Sequence, residues 1–250
     1  MITNRRPTGA AVRRAANREQ MQTAILDTAR TIVTDNGIDA LTIRAVAQEL
    51  SYSPGAIYDY FESKEDILNC LYFAGANGLG GRMEQVIADS PPGTSAIEQL
   101  IAIGHAYRAH ATANRELYRL IFGGIKDVPA PPGPAISEEE IGGYGTLIRL
   151  ARRGIAEGSI IDIPISLIAH AVWAAVHGFV SLELQGHITG GAPGTPAATE
   201  ELGQQRRDEM FDTVMRMMLV GLVTSEYREA TNSLLAATAR PAGATTELPD

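Results

Sequence analysis

The strongest constraint on this chain is its period. Apolar residues recur at three- and four-residue steps, and no alternating apolar and polar stretch persists long enough for a sheet, so the expected fold is all-α. Residues 18–36 illustrate the pattern. Met21, Ala24, Ile25, Thr28, Ala29, Ile32 and Val33 share one helical face, and Asn36-Gly37 supplies a left-handed stop. Further helices are expected at 43–50, 54–60 and 64–88, and then near 95–113, 115–124, 137–157, 163–187 and 202–227. The stretches 127–134, with four prolines in six positions, and 189–199, mixing Gly, Pro, Ala and Thr, read as loops. Residues 231–250 read as a disordered tail.

With 250 residues and 45% hydrophobic side chains, the chain can bury a sizeable core. Its net charge of −8 argues, on average, against a nucleic-acid partner. The average conceals two electrostatic objects. Residues 1–18 carry Arg5, Arg6, Arg13, Arg14 and Arg18 with no acid, an expected flexible basic arm. Residues 1–64 hold eight basic and seven acidic side chains, against 13 and 22 in the remainder. The single cysteine, Cys70, allows no internal disulfide, and no Cys and His spacing suits a metal, so no cofactor is expected and a cytoplasmic setting fits. The apolar run 167–184 approaches a membrane span in length, but His170, His177, Ser181 and Glu183 interrupt it, and a bundle helix is expected instead.

The stretch 41–68 carries the most chemistry. Thr42 caps one short helix, Ser53 with Pro54 at the first position starts another, and Ser63 with Asp66 opens a longer one. Two short helices joined by a tight turn make a helix-turn-helix, whose second helix enters a DNA major groove. Ala47 is small enough for the helices to cross closely. Val46, Leu50 and Ile57 are placed to close a core against Ile25, Ala29 and Phe61. The outward residues suit DNA. Thr42 and Ser53 bring hydroxyls, Tyr58 and Tyr60 phenols, Arg44 and Lys64 charge, and Gly55, between Pro54 and Ala56, allows close backbone approach. Arg13 and Arg14 on the arm are candidates to follow a phosphate strand or enter a minor groove.

The stretch resembles the DNA-binding domain of the tetracycline-repressor (TetR) family of transcriptional regulators. The residues that carry the resemblance are Leu41-Thr42-Ile43-Arg44-Ala45-Val46-Ala47, Ser53-Pro54-Gly55-Ala56-Ile57-Tyr58 and Tyr60-Phe61-Glu62-Ser63-Lys64-Glu65. Trp173, His177 and Gly178 also resemble a Trp…His-Gly pattern of one subgroup of regulatory domains. Two positions depart from the pattern. Ser51 stands where the family usually has Gly, and Asp59 is an acid on the reading helix that either faces solvent or accepts from a cytosine amine.

The resemblance implies a helix-turn-helix domain, 19–64, and a helical domain, 65–230, that binds a small effector and supplies a homodimer interface. It implies a regulator, most simply a repressor, on a pseudo-palindromic operator of double-stranded DNA. His170, Trp173 and His177 share a helix face and, with Tyr107, His110, Tyr118 and Phe122, are candidates for an apolar effector site. Phe211, Val214, Met217, Met218, Gly221 and Leu222 are candidates for the dimer seam. Gly75, Gly78, Gly80 and Gly81 crowd one helix, which is expected to bend or fray and so to act as a hinge.

Each reading has a structural rival. The tyrosines can be packing residues, Arg44 and Lys64 solvated charges, and the arm a solubilising tail. The seam can be intrachain core, the glycines close-packing sites, and each histidine a satisfied core residue. No G-x-S-x-G, P-loop or H-E-x-x-H pattern is present, so no catalytic residue is expected. The alternative function is a helical effector-binding or interaction protein without specific DNA binding.

Overall fold

The computed structural model describes residues 9–124, 142–191 and 199–238. Among these residues the only β pairing is an isolated antiparallel bridge, Ile160 with Val223. Ten α-helices follow in order: α1 Gly9–Asn36, α2 Ile43–Glu49, α3 Pro54–Tyr58, α4 Lys64–Ala88, α5 Ala96–Ala113, α6 Arg115–Arg119, α7 Gly142–Ala156, α8 Ile165–Leu184, α9 Glu200–Leu222 and α10 Arg228–Thr238. A π-helical turn, Leu120–Gly124, extends α6. The expected loop 127–134, most of 189–199 and the start of the helix expected at 137 lie outside the described residues.

Two expectations about the chain ends need correction. Residues 9–18 are not a flexible arm but the first turns of α1, because Arg13, Arg14, Ala15 and Ala16 are strong helix formers with no breaker between Gly9 and Asn36. Residues 231–238 belong to α10, in which Thr231 is buried and bonds back through its hydroxyl to the Tyr227 carbonyl one turn earlier at 2.8 Å.

The chain divides into two compact units, and the division falls between Ala76 and Asn77, inside α4, not at residue 64. The first unit joins residues up to 76 with 114–124. Its core holds Ile25, Ala29, Val33, Leu41, Val46, Ala47, Ile57, Phe61, Ile67 and Leu71, the miniature core expected from the motif, together with Leu120 from the π-turn. Burial of Leu120 explains why this distant segment belongs here. Gly37, at φ 82°, ends α1 as expected.

The second unit contains 77–113 and the described residues from 142 onward. Ile103, Ile168, Val172, Val176, Phe179, Val180, Met215 and Leu219 are buried in it. Apolar α8 is long enough to cross a membrane, yet this face is core. A buried ion cluster ties α5, α8 and α9 together. The Arg108 guanidinium donates to both Glu183 oxygens at 2.6 and 2.7 Å and to Asp208 at 2.6 Å, beneath the Phe179 and Phe211 rings. Fully paired in this way, the buried charges are compensated, whereas removing one partner would strand the others.

The glycine-rich stretch does not break α4, which runs continuously from Lys64 to Ala88. Close packing explains Gly75. A Cβ there would meet Ile121 Cδ1 at 3.0 Å. It does not explain Gly81, where a Cβ would meet nothing within 4 Å.

Candidate nucleic-acid interface and effector face

The reading helix is held by caps and by one buried side chain. The Ala45 N–H donates to Thr42 Oγ1 at 3.0 Å, the Ala56 N–H to Ser53 Oγ at 3.3 Å, and the Asp66 N–H to Ser63 Oγ at 3.1 Å. Each cap contributes about 1 kcal/mol and leaves the hydroxyl proton free to donate outward. Ile57, 1% exposed, anchors α3. Thr42, Arg44, Ser53, Pro54, Gly55 and Tyr58 are exposed around it, Tyr58 at 55%. Ala56 and Lys64 are half-buried. Asp59, exposed at the C-terminal end of α3, remains available to solvent or to a base.

Tyr60 divides its roles. Its ring packs on the core of the first unit, and the Arg18 guanidinium lies 5.2 Å from the ring centroid. Sequence reasoning missed that role for Arg18. The i,i+4 spacing of Arg14 and Arg18 was the available signal, since on a helix it puts both on the side that carries Tyr60. Arg13 and Arg14 are exposed on the same helix, so they are presented by a rigid element rather than by an arm.

Ser51 is the one non-glycine residue with positive φ, 59°, among the described residues. Its turn therefore has the left-handed geometry for which the family's usual glycine is suited.

Five residues of the expected effector face, Tyr107, His110, His170, Trp173 and His177, lie within the second unit. In the second unit, the Tyr107 hydroxyl and His177 Nδ1 lie 3.1 Å apart. Trp173 lies 6.2 Å from His177 and 6.3 Å from His170 between ring centroids. Tyr144 of α7, which sequence reasoning missed because its partners lie on another helix, sits 5.1 Å from His170 and 6.1 Å from Trp173. Tyr118 and Phe122 pack against each other within the first unit, their ring centroids 4.7 Å apart. Burial holds the His177 imidazole below its usual pKa, and burial together with the positive charge of Arg82 does the same at His110. Both rings are neutral near pH 7.

Sequence comparison decides the family. The profile of bacterial regulatory proteins of the tetR family matches residues 25–71, and that of the tetracyclin repressor-like C-terminal domain matches residues 100–218. The chain belongs to the TetR family. The HTH-type transcriptional regulator Rv1816 of Mycobacterium tuberculosis is 27% identical to this TetR-family chain over 57% of its length and 61% of the relative's. The chain thus spans about three fifths of that curated relative. The transcriptional repressor KstR2 of Mycolicibacterium smegmatis is 24% identical over 72% of this chain and 84% of KstR2. The solved structure of RolR with its ligand resorcinol has the same fold, with a TM-score of 0.58, 15% identity, and coverage of 88% of this chain and 96% of RolR.

The expected dimer seam of this TetR-family chain needs correction. Phe211, fully buried, and Leu222, 8% exposed, belong to the core of the second unit and cannot face a partner. Val214 and Met218 are half-buried, and Gly221 and Met217 are exposed, Met217 at 74%. The face that stays open on α9 is Met210, Val214, Met217 and Gly221, at helical spacing, and it keeps three of the six expected seam positions. On α8 its counterpart is Leu167, Ala171, Ala174, Gly178 and Leu182.

Proposed function

We propose that this chain is a ligand-responsive transcriptional repressor of the cytoplasm, without enzymatic activity, that binds a pseudo-palindromic operator as a homodimer and is released by a small, largely apolar molecule. The observation that carries the reading is the pair α2 and α3, anchored by Ile57 and capped by Thr42 and Ser53, with Arg44, Ser53, Tyr58 and the α1 arginines all exposed around it. A helical binding protein without DNA would have no use for such a head. The naming of KstR2 as a repressor and the resorcinol bound by RolR support the repressor and effector parts.

The homodimer part rests on the open apolar face of α8 and α9. Leu167, Leu182, Met210 and Met217 are 44–74% exposed, and Gly178 and Gly221 have nothing within 4 Å of a would-be Cβ. Nothing within the chain requires those glycines, whereas a second copy crossing closely would. The test is direct. Tyr58→Ala and Arg44→Ala, both at exposed sites, should each weaken operator binding about tenfold, a loss of the size expected for a base or charged phosphate contact, with unchanged melting temperature. Wild-type affinity in both variants would contradict the proposed head.

A further inference from the structure

Arg82 is an exposed cation that forms no ion pair among the described residues, although other arginines of its unit do, Arg149 with Glu84 and Arg153 with Glu157. It stands at one end of the aromatic strip. A methyl group added at Gly78 would come 4.0 Å from His110 Cε1, so this face of α4 meets α5 at His110, and Arg82 follows Gly78 by one turn on that face. One turn back along α5 from His110 is Tyr107, bonded to His177. From there the rings continue through Trp173 to His170 and Tyr144 in steps of 5.1–6.3 Å.

The chemistry along this line is ordered. Rings predominate at one end, where Trp173 is 36% exposed. Two half-buried imidazoles, kept neutral by burial, offer hydrogen bonds without charge. At the other end a planar guanidinium has no carboxylate partner among the described residues, and its fork fits one carboxylate.

We propose that the strip binds a flat, ring-bearing carboxylic acid, with its rings along His170, Trp173 and His177 and its carboxylate on Arg82 and His110. The inference rests on the effector part of the function proposed above and names the ligand class for it. Its test uses the full chain and two probes of equal shape, 1-naphthoate and the neutral 1-naphthalenemethanol, titrated by calorimetry. The acid should bind at least about tenfold more tightly, as expected of a charge-assisted hydrogen bond. Arg82→Gln, at an exposed site, should erase that advantage and leave binding of the alcohol unchanged, while Trp173→Leu should weaken both probes. Equal binding of acid and alcohol, an advantage that survives Arg82→Gln, or binding of neither probe would overturn the proposal. A mobility shift with the same probes separates it from the regulatory reading. Acid-selective binding that fails to release DNA contradicts the effector role alone, whereas release by both probes equally contradicts the acid preference alone.

Discussion

Ser51 holds a backbone conformation that its side chain disfavours, in the turn that sets the angle between α2 and α3. Ser51→Gly should therefore stabilise the protein by about 1 kcal/mol, read as a higher midpoint in urea denaturation. A lower midpoint would mean that the Ser51 side chain makes an offsetting contribution. The departure from the family pattern was visible in the sequence, and so were the Thr42, Ser53 and Ser63 caps, because a cap and its partner lie three residues apart. Arg108 was not. Its partners Glu183 and Asp208 are 75 and 100 positions away, and in the sequence Glu183 is merely an interruption in an apolar run. The histidines behave similarly. Burial lowers the pKa of His105, His110 and His177 in the folded chain, so their contribution to stability is fully present above the unfolded value of about 6.5 and is lost as pH falls through it towards the folded values. Denaturation midpoints should accordingly drop between roughly pH 8 and pH 5.5, and drop less in His177→Gln. A midpoint independent of pH would contradict the assigned burial.

Among the elements, α4 carries the clearest difference between expectation and structure. Four glycines in seven positions predict a weak helix, yet the helix is continuous and spans the division between the two units. Helical propensity summed along a segment is only a prior, and packing such as that of Gly75 against Ile121 overrides it. Gly81 has open space, so Gly81→Ala should raise stability by roughly 0.5–1 kcal/mol in thermal melts. If α4 couples effector to DNA, the same change should weaken effector-induced release in a mobility-shift titration, and unchanged release would remove the hinge idea. On α9 the periodicity located an apolar stripe correctly but not which side of it faces the core. Phe211 is inside because it lies under Arg108 and against Phe179, contacts made by other helices. Val214, Met217 and Gly221 of the same expected set lie on the open side, so on the proposed homodimer Met217→Glu should convert dimer to monomer in analytical ultracentrifugation without lowering helix content. A variant that sediments like wild type would place the interface elsewhere.

For the whole molecule, the net charge of −8 is the sum of a reading head with an arginine-bearing α1 and a strongly acidic remainder. The sign of the average misleads because phosphate contact depends on which charges face the duplex, not on their total. The all-α class, the helix-turn-helix and its core were legible because they are short-range patterns. The division inside α4 was not, because it depends on where the segment after α5 returns. The central claim is that two copies of this head bind one operator through α3 and the cations around it. The measurement that tests it is a titration of the protein against palindrome-bearing DNA from its own upstream region at several salt concentrations. With Arg13, Arg14, Arg44 and Lys64 contributed by each of two protomers, one dimer should bind each palindrome, and affinity should fall about ten-thousandfold between roughly 50 and 200 mM salt. Binding insensitive to salt, or no preference for any palindrome over unrelated DNA, would contradict it.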